Sequence, residues 1–130
     1  MADLPTPTVR ADRYVVNCVP EDGVESHHWG LTVEYRGNGL WGVYRNPHCC
    51  LGADGTWSWG HNWRDGTREP ATDDEWTEYH DSRDTWFSEH RFDEQTALKL
   101  AQEHAPLVTV NGYTVTDALA MQQKRAERHG

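Results

Sequence analysis

Through the first part of the chain, apolar and polar positions alternate with a period of two, as in strands covered on one face. Tyr14, Val16 and Cys18 alternate with Arg13, Val15 and Asn17, a first strand that ends at Pro20. EDGVESHH then reads as a loop. Trp29, Leu31, Val33 and Tyr35 alternate with Gly30, Thr32, Glu34 and Arg36, which sets an apolar face against a wet one. Gly37-Asn38-Gly39 supplies a hairpin turn, because these residues take positive φ with little penalty. The returning strand runs from Leu40 to Arg45, with Trp41 and Val43 on one face and Tyr44 on the other, and Asn46-Pro47 breaks it. His48 to Leu51, a turn at Ala53-Asp54-Gly55, and Thr56 to Trp59 complete a meander of four to five short strands.

The pattern then changes. From Gly60 to Ala71 no period is visible, and the segment reads as loop. Thr72-x-x-Glu75 matches a capping box, which predicts a short helix from Asp73 to about Asp81 with Trp76 and Tyr79 on one side, then a further turn from Asp84 to Glu89. Asp74-x-Trp76-x-x-x-His80 recurs as Asp84-x-Trp86-x-x-x-His90. One helix through both copies would let the two indoles share a face, but Ser82 and the surrounding aspartates favour a break. Asp93 is an N-cap for a helix from Glu94 to Ala105, whose Ala97, Leu98, Ala101 and Ala105 recur at helical spacing and which Pro106 terminates. Leu107 to Val110, Asn111-Gly112 and Tyr113 to Val115 form a type I′ hairpin. Thr116 or Asp117 caps a last helix from Ala118.

The predicted fold is therefore α+β: an antiparallel β-meander, an acidic Trp-rich segment, a helix packed on the apolar face of the Trp29 strand, a short β-hairpin and a C-terminal helix. Residues 1–11, rich in Pro and Thr, form a mobile lead-in; 12–120 form a single domain; 121–130 form a polar, fraying helix end. With 130 residues one domain is expected. Mean hydropathy is low at −0.88, yet 11% aromatic residues, seven of them tryptophan, supply the core that few Ile, Leu and Phe would leave thin.

The formal charge of −9 excludes the basic footprint of a direct nucleic-acid binder and adsorption to an anionic membrane. It favours a protein partner with a basic surface. Met1 to Asp12 has no apolar signal core, and no run approaches a membrane span. Together with three cysteines, an odd count, this points to a reducing cytoplasm.

Candidate chemistry is sparse. His27-His28 and His48-Cys49-Cys50 are adjacent runs, whose side chains in a strand point to opposite faces, and His61, His80 and His90 are scattered. A small metal- or thiol-dependent enzyme built on Cys49, Cys50 and histidines is one alternative, and a structural or assembly protein another. No cofactor and no catalytic residue is assigned, because nucleophile elbow, phosphate loop and dinucleotide fingerprint are all missing from the sequence. Asp73-Asp74-Glu75 lacks the alternation of a calcium loop.

One stretch remains. Between Gly60 and Gln95 eleven acids face four arginines, which leaves −7 of the total −9, and Trp63, Trp76, Tyr79, Trp86 and Phe87 lie among them. Aromatics anchor interfaces and acids select a basic partner. The candidate partner-binding residues are Trp63, Asp73, Asp74, Glu75, Trp76, Glu78 and Tyr79, whereas Trp57, Trp59, Trp86 and Phe92 are expected in the core. TVEYRGNGLWGVYR, CLGADGTWSW, HRFDEQTALKLAQEHAP and VTVNGYTVTDAL together resemble small proteins of unassigned activity encoded by actinobacteria and their phages. The resemblance covers Tyr14 to Ala120 and implies a recurring scaffold but no activity, cofactor or catalytic residue; the acidic-aromatic segment itself suggests a nucleic-acid mimic, or an inhibitor of a nucleic-acid-binding machine if the gene is phage-borne.

Overall fold

The computed structural model describes residues 3–22, 25–45 and 48–129. Asn46-Pro47, read above as a strand break, and Gly23 and Val24 of the first loop lie outside the described residues. The architecture is α+β. Five antiparallel strands follow one another in chain order across one sheet: β1 (Arg13–Val16), β2 (Leu31–Tyr35), β3 (Trp41–Arg45), β4 (Cys49–Leu51) and β5 (Trp57–Ser58). Helices α1 (Asp73–His90) and α2 (Glu94–His104) come next, then the hairpin β6 (Thr109–Val110) and β7 (Tyr113–Thr114), and finally α3 (Val115–His129). No helix among the described residues is long and apolar enough to cross a membrane.

Alternation decides which side of each strand is buried. Leu31, Val33, Trp41, Val43 and Leu51 point to one face and are sealed there by Ala97 and Ala101 of α2. The alanines, one turn apart, let the helix axis approach the sheet closely. The opposite face carries a registered row of Val15, Thr32, Tyr44, Cys50 and Ser58. β1 is a free edge and only four residues long. Gly37, Asn38 and Gly39 all adopt positive φ, and the Leu40 N–H closes the turn on the Gly37 carbonyl at 2.9 Å. Where β4 ends, the segment between α1 and α2 takes its place: Phe92 and Trp41 exchange two backbone hydrogen bonds of 2.7 and 2.9 Å.

Two local expectations change. The segment predicted as a short helix and a separate turn is a single helix, α1, of 18 residues. Ser82 does not break it, because its hydroxyl bonds the His61 ring at 2.8 Å instead of competing for the helix backbone. α3 begins at Val115, not Ala118, and its cap is Thr114. The Asp117 N–H donates to the Thr114 hydroxyl at 3.2 Å and the Thr114 N–H to the Asp117 carboxylate at 2.9 Å, a reciprocal box that starts the helix on the last residue of β7. Asp93 caps α2 as expected, accepting from the Thr96 N–H at 2.8 Å, which holds its carboxyl below the usual range.

Candidate binding surface on the acidic helix

Thr72 starts α1 by accepting from the Glu75 N–H at 3.2 Å. The second half of the predicted box differs, since Glu75 accepts from the Ala71 N–H at 3.3 Å. Asp73, Asp74 and Glu75 fill the first turn, where the helix dipole favours acids. At roughly 100° per residue, Glu75, Tyr79, Ser82, Trp86 and His90 fall on one stripe about 80° wide. This is the inward face, half-buried at Glu75 and fully buried at His90. Its far end is tied to the sheet: Trp86 Nε1 donates to the Ser58 hydroxyl at 3.2 Å, and the Ala53 N–H donates to the Glu89 carbonyl at 2.8 Å. Arg91 reaches Cys50 Sγ at 3.6 Å.

The near end is covered by the loop before the helix. Trp63 is only 6% exposed, which removes it from the expected binding face. Its ring lies 6.5 Å from that of Tyr79, under the guanidinium groups of Arg64 at 4.7 Å and Arg68 at 5.4 Å. Arg64 also pairs with Glu75 at 3.3 Å and Glu78 at 2.9 Å, and Arg68 pairs with Glu75. The Arg68 hydrogen bond and the Ala71 N–H hold the Glu75 carboxyl below the ordinary carboxylate range. The turn pays in strain, since Arg64 and Asp65 both take left-handed φ of 46° and 57°. Each such residue costs on the order of 1 kcal/mol. Exposed ion pairs contribute about 0–1 kcal/mol, whereas burying one large aromatic side chain contributes about 3 kcal/mol. Trp63 holds the loop down.

The outward stripe is different. Trp76, His80, Arg83 and Phe87 lie within about 60° of one another around the helix. Trp76 is 44% exposed and Phe87 39% exposed, and His80 is exposed between them. Trp76 and His80 rings are 5.9 Å apart, and Arg91 lies 5.0 Å over Phe87. Asp73, Asp74, Asp81 and Asp84 flank this ridge on its solvent side and take no ion pair among the described residues. The structure therefore divides the candidates. Asp73, Asp74 and Trp76 stay together on an open surface; Glu75 and Glu78 are engaged by Arg64 and Arg68; Tyr79 is half-buried and Trp63 buried. His80, Asp81, Asp84 and Phe87 join the ridge. The Asp-Trp-His repeat signalled two of these, but only a continuous helix aligns them with Trp76.

The two copies of that repeat occupy one helix without sharing a face. Ten residues turn the helix by about 80° short of full register, so Trp86 points inward and stacks on His90 at 4.2 Å while Trp76 points out. Of the aromatics expected in the core, Trp57, Trp86 and Phe92 are half-buried, and Trp59 is 74% exposed because β5 ends at Ser58, one residue before it.

Cys49 and Cys50 point to opposite faces of β4, and no three His, Cys, Asp or Glu side chains gather as a metal site among the described residues. Burial pushes the Cys50 thiol up despite Arg91, so it is held as the poorly nucleophilic form. His27 and His28, in the segment read as a loop, lie on a helical turn, Ser26–His28, with rings 3.9 Å apart. Comparison with protein-family models, curated proteins and solved structures returns no match.

Proposed function

We propose that the chain is a non-enzymatic interaction module whose α1 ridge docks on a basic protein surface. The observation that carries this is the ridge itself: half-exposed Trp76 and Phe87 aligned on one helix face, bordered by Asp73, Asp74, Asp81 and Asp84, none of which takes an ion pair among the described residues. Aromatic side chains supply the buried anchor of an interface, and the bordering acids steer a basic partner and reject an acidic one. In a narrower form, should the gene be phage-borne, the acidic ridge is an inhibitor that covers the basic surface of a nucleic-acid-binding partner.

The test is affinity capture with three chains in parallel: wild type, Trp76→Ala/Phe87→Ala, and Asp73→Lys/Asp84→Lys. Far-UV circular dichroism serves as the fold control, and partners are identified by mass spectrometry. The expected result is a basic protein bound by wild type, weakened about tenfold or more by the aromatic pair, and lost on charge reversal. Capture of the same proteins by all three chains would overturn the reading.

A further inference from the structure

α3 leaves the body of the protein soon after it starts. Val115 is buried and Ala118 half-buried, but Met121, one turn on, is 48% exposed. Between the departing helix, the β6–β7 hairpin and the Val19–Trp29 corner lies a cleft of about 500 Å³. That volume falls within the roughly 300–1,000 Å³ typical of small-molecule sites. Its walls are apolar at Val19, Trp29, Val110, Tyr113 and Met121. Trp29 and Val19 are buried and fixed in the core, so this part of the wall is preformed.

The charged groups of the cleft are mostly cations. Lys124, Arg125 and Arg128 line it, and with Met121 they recur at i, i+3, i+4 and i+7, one stripe of α3 facing the opening. None of the three cations pairs with an acid among the described residues, and the cleft holds one acid, Glu25. Compensation of the helix dipole accounts for cations near a C-terminus on any face. It does not account for three of them lining the same apolar cleft in a chain of charge −9. A small inorganic anion would leave the Trp29 and Met121 wall unused, and a neutral apolar ligand would leave the cations unused.

We propose that this cleft binds one anionic amphiphile per chain: an apolar body against Trp29, Val110 and Met121, and a carboxylate, sulfate or phosphate head among Lys124, Arg125 and Arg128. The proposal shares no residue with the α1 ridge and stands independently of it. The occupant is a free molecule in the cleft, not a bilayer.

The probe is decanoate, titrated calorimetrically into the full chain below its micellar range. Acetate, decanol and phosphatidylglycerol vesicles are run as separate arms, and light scattering follows the mass of the unliganded protein. Decanoate is expected to bind saturably at one per chain, acetate to show no heat of binding, and decanol to bind about tenfold or more weakly. Arg125→Gln/Arg128→Gln, both exposed positions, is expected to keep the helical circular dichroism of wild type and to weaken decanoate about tenfold or more, while leaving decanol unchanged. Any of four results overturns the proposal: no saturable decanoate binding; equal decanoate binding by the double variant; association with vesicles alone; or a concentration-dependent rise in mass without ligand that Arg125→Gln/Arg128→Gln abolishes, which would assign the cleft to a second copy of the chain.

Discussion

Gly42 is buried in β3, and the hydroxyl end of the Tyr44 ring lies against it. A Cβ there would stand 2.6 Å from the Tyr44 hydroxyl oxygen and 2.8 and 2.9 Å from two ring carbons. The ring cannot step aside freely, because Arg36 donates to its hydroxyl at 2.7 Å and stacks above it at 4.6 Å. Gly42→Ala is therefore expected to destabilise the fold by roughly 1–3 kcal/mol, measured by urea unfolding. In Gly42→Ala/Tyr44→Ser the two costs should fall clearly short of additive, because the second change removes what the first collides with. Tryptophans divide as sharply at this scale. Trp63→Ala should cost roughly 3–5 kcal/mol and Trp76→Ala less than about 1 kcal/mol, although the acidic sequence around both is alike. Equal costs would contradict the burial difference between them.

At the scale of elements, α1 shows why parts of the fold were readable and parts were not. Leu31, Val33 and Tyr35 announce β2 because an apolar face is buried against α2, and Asn111-Gly112 announces its turn because few other residues accept φ of 52° and 83° in succession. α1 has no comparable signal. Its inward stripe is Glu75, Tyr79, Ser82, Trp86 and His90, polar at three of five positions; Ser82 and Trp86 find their partners in His61 and Ser58, distant in sequence, Glu75 finds Arg68 and Ala71 in the preceding loop, and His90 bonds the Trp86 carbonyl. The α3 start is hidden for a related reason: Thr114 is both a strand residue and a cap, so no loop marks the boundary. Thr114→Ala is expected to cost about 1 kcal/mol, seen as lost helicity and an earlier urea midpoint. Acid acts on the other end. Glu75 has its folded-state pKa below the unfolded value, so its contribution is complete above the ordinary carboxylate range near about 4 and is lost as pH falls through the lowered value. Wild type and Glu75→Gln should therefore differ in stability at neutral pH and converge in acid. A difference that stays constant with pH would remove Glu75 from the hold on the Trp63 loop.

For the whole molecule, the charge is unevenly distributed. Acids gather on α1 and cations on α3, although the chain as a whole carries −9. Attraction of a basic partner to the ridge should then weaken with salt, since exposed charges are screened beyond about 10 Å at 0.1 M ionic strength. Association by Asp73→Asn/Asp84→Asn should show a flatter salt dependence than wild type in stopped-flow mixing, with a smaller change in dissociation rate. The location of this ridge was half legible. Co-location of acids and tryptophans marks the segment, but which tryptophan faces outward depends on where the Trp63 loop folds back, and that is set by contacts no local pattern encodes.

The same division of the tryptophans gives the protein built-in optical reporters. Trp29 and Trp41 sit in the main core, Trp63 under its own loop, and Trp59 and Trp76 in solvent. A dissolved quencher such as acrylamide will reach the last two first and leave a residual emission from the protected indoles. Loosening of the loop alone would add one accessible emitter while the sheet core stays dark to the quencher. Partial and global unfolding are thereby separable in a single cuvette, with Trp63→Phe as the strain that lacks the intermediate step.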